Sequence, residues 1–420
     1  TRFFDKSALY HVHGEKKFAP RWASYWTVGG NARWYRPVSE GTIFSDTIQY
    51  RFDANGVPID SSYRKVKNWE MGYYTGLEKK VFSEKIILTG TVRADKNQNF
   101  NWLITPAASM VYTPNAKNYL RFSFSSAVRN PTLTDQYLNL NVGRATLLGN
   151  LNGFKNLITT ESLVDALGAG AGIDVTKLKY FDAPAIKPEK VKTFELGYRT
   201  TIWNKVYLDA GYFYNIYNDF IGYNIGADAK VSATNIDLQS LKIYRVAANS
   251  THQVTTQGFN AGLNFYFRTY YQWSGNYSWN KLNVTNIEDP IIPAFNTPRH
   301  KFNTGVSGRD LPFLGLKKTG FNLTYKWVQG FVFEGSPQFT GNIPTYDMVD
   351  VQWNCTFDRQ HLTLKIGATN LFGIIPAFKK NASGDSGLNA MFHNNQFQTY
   401  GGPRIGRMGY ISMVYDFEKR

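Results

Sequence analysis

The chain has 420 residues, and its 47 basic and 31 acidic side chains leave a formal charge of +16. The basic residues are dispersed with no dense run, which argues against a nucleic-acid partner. Mean hydropathy is −0.36, and no stretch approaches the roughly 18 continuous apolar residues that a membrane-spanning helix requires.

Aromatic residues make up 16% of the chain, with 27 Tyr, 30 Phe and 10 Trp. That content in a hydrophilic chain suits a protein that sets aromatic girdles at two membrane interfaces and keeps its interior wet. The single cysteine, Cys355, excludes an internal disulfide. The sequence shows neither an initiator Met nor a signal peptide, so it is expected to begin after processing or partway through a longer protein.

In chain order, alternating segments fall near 6–14 and 22–35, the first carrying His11 and His13 on one face. Without a third ligand, that pair reads as interior-facing histidines rather than a metal site. Further strands are expected near 67–80, 85–95, 101–113 and 118–128, where Leu120, Phe122 and Phe124 alternate with Arg121, Ser123 and Ser125. The segment 129–189 lacks alternation, and within it TTESLVDALGAGAG predicts a short helix capped by Thr160 and ended by Gly168. GAGAG at 168–172 has neither the preceding strand nor the Lys-Ser/Thr of a phosphate loop.

The clearest signal lies in KTFELGYRTTIWNKVYLDAGYFYN, residues 192–215. Phe194, Leu196 and Tyr198 share one face, while Glu195 and Arg199 share the other. Past Trp203-Asn204-Lys205, Val206, Leu208, Ala210, Tyr212 and Tyr214 oppose Tyr207, Asp209 and Gly211. Strands are predicted at 190–203, 205–218, 254–267, 270–283, 298–309, 317–333, 343–357, 361–373 and 408–417. Many approach or exceed ten residues, about twice the usual soluble strand and the length that crosses a bilayer in a β-barrel.

Connection lengths alternate. Short ones fall near 15–21, 81–84, 114–117, 204, 268–269, 310–316 and 358–360, and long ones at 36–66, 129–189, 219–253, 284–297, 334–342 and 374–407. The connection at 96–100 departs from this parity. Short periplasmic turns against long extracellular loops are the mark of an outer-membrane barrel. The fold class is therefore all-β: a transmembrane antiparallel β-barrel in the bacterial outer membrane, with 1–420 as one barrel domain. About fifteen strands is an odd number for a single-chain barrel, so residue 1 is expected to lie inside a longer one.

The motifs YRPVSEGTIFSDT (35–47), VRADKNQNFNWLITPAASMVYTPN (92–115) and SSAVRNPTLTDQYLNLNVG (125–143) resemble those of TonB-dependent outer-membrane transporters of the Bacteroidota kind. KPEKVKTFELGYR (187–199), NTPRHKFN (296–303), LKIGATNLFG (364–373) and GRMGYISMVYDF (406–417) follow in the family's order, so the resemblance spans nearly the whole chain. It implies the C-terminal part of a 22-stranded barrel, whose plug domain and TonB-contacting segment this chain lacks. The tail Glu418-Lys419-Arg420 after Phe417 departs from the aromatic ending common in the family.

The resemblance further implies import of a scarce nutrient, a ferric siderophore or other iron chelate first, an oligosaccharide or peptide next, by loop capture and plug gating. A non-transporting barrel scaffold in a surface complex is the alternative. Loop position singles out Arg129, Tyr137, Asn139 and Asn141, then Tyr217 and Phe220, then His393, Asn394, Asn395 and Gln396 as ligand-binding candidates. On polar strand faces, Arg121, Arg199, Lys326 and Lys365 are expected to pair with Glu195, Asp209 and Asp350 or to dock the plug, rather than to line an anion path. Glu195 and Asp209 belong to a charged lumen wall, not to a glycosidase dyad, and His300 has a structural place. No enzyme activity, metal or cofactor is expected. Implied partners are outer-membrane lipid and lipopolysaccharide, the TonB–ExbB–ExbD system acting through the missing N-terminal part, and a surface lipoprotein.

Overall fold

The computed structural model describes residues 3–52, 58–143, 145–168, 173–284, 296–313, 316–334, 340–343, 345–372 and 407–417. β1 (Ala8–Phe18) and β2 (Tyr25–Arg36) open the chain, followed by a small hairpin of β3 (Ile48–Phe52) and β4 (Pro58–Tyr63). Then come β5 (Asn68–Val81), β6 (Ile86–Asn97), β7 (Phe100–Asn115) and β8 (Asn118–Arg129). The next connection holds α1 (Leu133–Tyr137), β9 (Asn139–Asn141), β10 (Thr146–Leu148), β11 (Phe154–Thr159), α2 (Thr160–Leu167) and β12 (Tyr180–Ala183). β13 (Glu189–Ile202) and β14 (Val206–Asn218) form a hairpin, and β15 (Ile221–Asp228) and β16 (Lys242–Asn249) lie in the connection after it. β17 (Val254–Phe267), β18 (Tyr271–Val284), β19 (His300–Phe313) and β20 (Leu316–Val328) continue. A hairpin of β21 (Phe331–Glu334) and β22 (Thr340–Ile343) precedes β23 (Tyr346–Phe357), β24 (Leu362–Thr369) and β25 (Met408–Tyr415).

Fifteen strands join in one antiparallel sheet, in the order β1-β2-β5-β6-β7-β8-β13-β14-β17-β18-β19-β20-β23-β24-β25. β1 and β25 are its outer strands, and no pairing joins them among the described residues. The predicted strands match these fifteen to within a few residues at most ends, because one face must be apolar along its whole length. Phe122 and Phe194 on that face are 50% and 47% exposed, which suits a surface meeting lipid rather than water. Trp203 and Asn204 adopt φ of 51° and 55°, closing the β13–β14 turn with left-handed residues.

Some boundaries shift. β1 runs to Phe18, since it pairs with β2 down to Trp26, and so the first turn begins later than residue 15. The predicted strand 317–333 stops at Val328, and Phe331–Glu334 turns into its own hairpin. The predicted strand 361–373 ends at Thr369, where Asn370 takes φ 50° and its N–H donates to Asp350. The helix forms as expected, but its cap is Thr159, whose hydroxyl accepts from the Ser162 N–H, and not Thr160.

The largest difference lies above the barrel. Segments 129–189 and 219–253 are not separate irregular loops. They combine into a second sheet of six strands, β12-β11-β15-β16-β10-β9, in which β10 and β16 run parallel. The buried apolar core lies mostly here, with Ile158, Leu163, Ala166, Ala227 and Ile236 in one cluster and Leu157, Ala183 and Val246 in another. Asn150, fully buried, ties the cap together. Its Nδ2 donates to the Pro184 and Ala247 carbonyls at 2.7 and 2.8 Å, and its Oδ1 accepts from the Gly153 N–H at 2.9 Å.

Candidate ligand vestibule

Where the barrel meets the cap, a cavity of about 640 Å³ opens among β2, β5, β6, the end of β8 and α1. Strand register determines its chemistry. Asn31, Arg33 and Tyr35 on β2 share the interior face with Asn68 and Glu70 on β5 and Arg93 and Asp95 on β6, because each interior position pairs with another. Gly72 lies between Asn31 and Asp95 in register, and a Cβ there would overlap Arg93 and Asp95.

Arg93 donates through Nε to both Asp95 oxygens, at 2.9 and 2.7 Å, and through Nη2 to Asn31 Oδ1 at 2.7 Å. Glu70 gathers the other side, accepting from the Tyr35 hydroxyl and Asn97 at 3.0 Å and from Asn130 at 3.2 Å. Arg129 pairs with Glu189 at 3.2 Å, and Glu189 also accepts from the Ile221 N–H. α1 forms a wall. Thr132 and Asp135 close a capping box, and Gln136 accepts from Asn99 and Asn68 at 2.7 and 3.3 Å. Asn68 Oδ1 and Asn130 Oδ1 are buried without hydrogen-bond partners among the described residues, leaving two acceptors at the cavity.

On the cap, the Arg245 guanidinium stacks 3.8 Å from the Tyr223 ring centroid, and its Nε is buried with no hydrogen bond among the described residues. Burial pushes its pKa down, against the opposing pull of Tyr223 and Asp135. The loop 36–66 carries a fixed carboxylate. Burial would raise Asp46, but the Ser39 hydroxyl and the Ser39, Gly41 and Glu40 N–H groups outweigh it and hold the group below its ordinary value.

Of the predicted ligand residues, Arg129 lines the cavity. Tyr137 is buried with Phe44 and Val66 in the packing under the loop 36–66. Asn139 and Asn141 lie on β9 at an edge of the cap sheet, where Asn141 Oδ1 accepts from the Gly143 N–H. Tyr217 faces the interior, edge-on to Phe220 at 5.4 Å. His393, Asn394, Asn395 and Gln396, with nearly all of the loop 374–407, lie outside the described residues. Arg33, Arg93, Asp95, Glu70 and Arg245 escaped the sequence reading. The signal for Arg93 and Asp95 was present in VRADKN, two charges on one strand face near its loop end.

Lower on the wall, Arg121 and Arg199 share Asp209, at 2.8 and 2.9 Å, and Ser123 donates to Glu195 at 3.1 Å. Arg121, Ser123, Glu195 and Asp209 border a second cavity of about 600 Å³, hollowed where Gly197, Gly211 and Gly262 carry no side chains. Lys326 pairs with Asp350, and Lys365 lies between Asn354 and Ser412 in register. His11 and His13 face the interior, where His13 Nε2 meets the Tyr74 hydroxyl at 2.9 Å. Among the described residues no group of His, Cys, Asp and Glu has metal-binding geometry.

Solved structures share the architecture. The siderophore receptor PirA from Acinetobacter baumannii aligns at TM-score 0.62 and 14% identity, over 98% of this chain and 55% of that one. The ferric enterobactin receptor PfeA from Pseudomonas aeruginosa aligns at TM-score 0.63 and 14% identity, over 97% and 53%. The FrpB iron transporter from Neisseria meningitidis aligns at 0.59 and 12%, over 97% and 55%. The chain thus spans little more than half the length of these structures. No curated protein matches it. A family profile described as TonB dependent receptor-like, beta-barrel, matches residues 4–371, and with the sheet, the alternating faces and the loop-built cap, this places the chain in the TonB-dependent receptor β-barrel family of the bacterial outer membrane.

Proposed function

We propose that the protein serves as the barrel of a TonB-dependent transporter importing an anionic iron chelate of the siderophore type. The observation that carries this reading is the vestibule, where Arg33, Arg93 and Arg129 line one cavity walled by α1. Guanidinium forks suit carboxylate, catecholate or hydroxamate oxygens, and a half-enclosed site strengthens them relative to open water. The low-identity neighbours that are siderophore receptors support the same cargo. Import needs no covalent chemistry. It does need a closed wall, since the outer edges of β1 and β25 would otherwise present unpaired backbone to hydrocarbon. We infer that the working unit is a larger barrel, 22-stranded and holding a plug as the family resemblance implies, energised through TonB–ExbB–ExbD, with a surface lipoprotein as a further partner.

Titration of the detergent-extracted protein with ferric catecholate and hydroxamate chelates, followed by intrinsic fluorescence, tests the reading. Arg93→Met is expected to weaken binding about tenfold or more, the loss of one charged hydrogen-bonding group. Equal affinity in the variant, or no chelate bound by the wild type, would overturn it. The amides Asn31, Asn68, Asn130 and Gln136, two of them with unpaired acceptors, favour an oligosaccharide as the second reading. Saturable sugar binding without chelate binding would select it.

A further inference from the structure

Glu189 opens β13 beyond the point where its lipid-facing column passes from Phe194 to Lys192 and Lys190, so it lies past the hydrocarbon, at the foot of the cap. The residue is only 6% exposed. Two groups hold its carboxylate, and both reach the same oxygen. Arg129 Nη2 pairs with Oε2 at 3.2 Å, and the Ile221 N–H donates to Oε2 at 2.8 Å. Oε1 has no hydrogen bond among the described residues.

From the elements packed against it, the carboxylate faces Arg129 on β8, the Ile221 amide on β15 and Asp135 on α1. Lys187 and Lys190, on its own segment, line a separate cavity with Asp219. Ile221 itself packs in a buried apolar cluster with Ile186 and Ala247. Burial pushes the Glu189 carboxyl above its ordinary value; the Ile221 N–H and Arg129 pull it down, and Asp135 pushes it up again. The Arg129 side chain is 53% exposed and lines the vestibule, so its remaining N–H donors are open to a ligand. An anion bound there competes for the charge that holds Glu189 ionised and sets a further negative group beside it. Both effects favour the protonated carboxyl.

We infer that an anionic ligand enters the vestibule together with one proton, which passes from solvent to Oε1 of Glu189. This inference rests on the reading of that cavity as an anion site. The neutral acid keeps Oε2 as the acceptor for the Ile221 N–H, so β15 stays tied to the barrel while the buried charge disappears. Arg129 touches the ligand, and Glu189 acts through it as a positioning residue. Because the protonated form binds the anion more tightly, affinity rises as pH falls through the bound-state pKa and levels off below the free-state value.

Calorimetric titration of the full-length protein in detergent with a ferric tricatecholate, repeated in buffers of different ionisation enthalpy, counts the protons taken up per ligand bound. Between about pH 5 and 7, above the ordinary carboxyl range, the wild type is expected to take up about one more proton than Glu189→Gln. The variant subtracts any proton exchange by the chelate itself. Over the same range the wild-type affinity should fall up to about tenfold per pH unit beyond any fall in the variant. Equal uptake or equal pH slopes in the two proteins would overturn this inference alone, whereas no binding by the wild type would overturn it together with the anion reading. If Glu189→Gln fails the heat-modifiable gel shift of a folded barrel, infrared difference spectroscopy of the wild type decides. A protonated-carboxyl stretch should appear on adding the chelate, and its absence would sink the idea.

Discussion

The ring of Phe213 fills the place that a Cβ on Gly258 would occupy, across the register from β14 to β17. The same Cβ would stand 2.8 Å from the Trp279 carbonyl oxygen, so backbone blocks it as well as a side chain. Tyr74 on Gly29 and Tyr410 on Gly367 repeat the arrangement. Gly258→Ala is therefore expected to destabilise the barrel by about 1–3 kcal/mol. Gly14, with nothing within 4 Å of a would-be Cβ, is expected to tolerate Ala or gain up to ~1 kcal/mol. Urea titration read by heat-modifiable gel mobility compares them, and equal midpoints would refute the ring-on-glycine account.

Asn150→Ala leaves the Pro184 and Ala247 carbonyls and the Gly153 N–H without their partner. Each orphaned buried group costs about 1–3 kcal/mol, enough to open the cap while the barrel stays intact. Hydrogen exchange should show lost protection in 146–159 and 242–249 and none in β13 or β14. Unchanged protection in the cap would mean Asn150 is not its tie.

Asp46 makes the loop 36–66 sensitive to acid. Its folded pKa lies below the ordinary 3.8, so its contribution is complete above that value and is lost as pH falls through the folded pKa. Protection of the Glu40 and Gly41 amides, corrected for intrinsic exchange, should fall over that range. Asp46→Asn should flatten the dependence, and a wild-type profile as flat as the variant's would contradict it.

Thr159→Ala should cost α2 about 1 kcal/mol through loss of its N-terminal cap, with Thr160→Ala close to neutral. Amide exchange within Thr160–Leu167 distinguishes the two. The reverse order would restore the cap to Thr160.

The barrel was legible because lipid imposes a two-residue period over ten or more residues, as from Phe194 to Tyr198 and on through Tyr214. The cap was not. Its strands are as short as Thr146–Leu148, and that one finds a parallel partner in Tyr244–Val246, far along the chain, with no local pattern to announce the pairing. The vestibule fell between these cases. Arg129 stands out by its loop position, whereas Arg93 and Glu70 sit within strands, where alternation alone gives a side chain's face and not its neighbours. Their convergence depends on which rows the register aligns. Thr159 was displaced by one residue because two adjacent threonines offer the same capping chemistry, and only backbone geometry separates them.

The parallel seam between β10 and β16 also governs what the cell surface shows to the outside. An antibody or a phage tail fibre that grips the cap meets residues from two distant stretches of sequence at once. Peptides copied from either stretch alone will present neither surface, and a change in one loop that breaks the seam will erase recognition of the other.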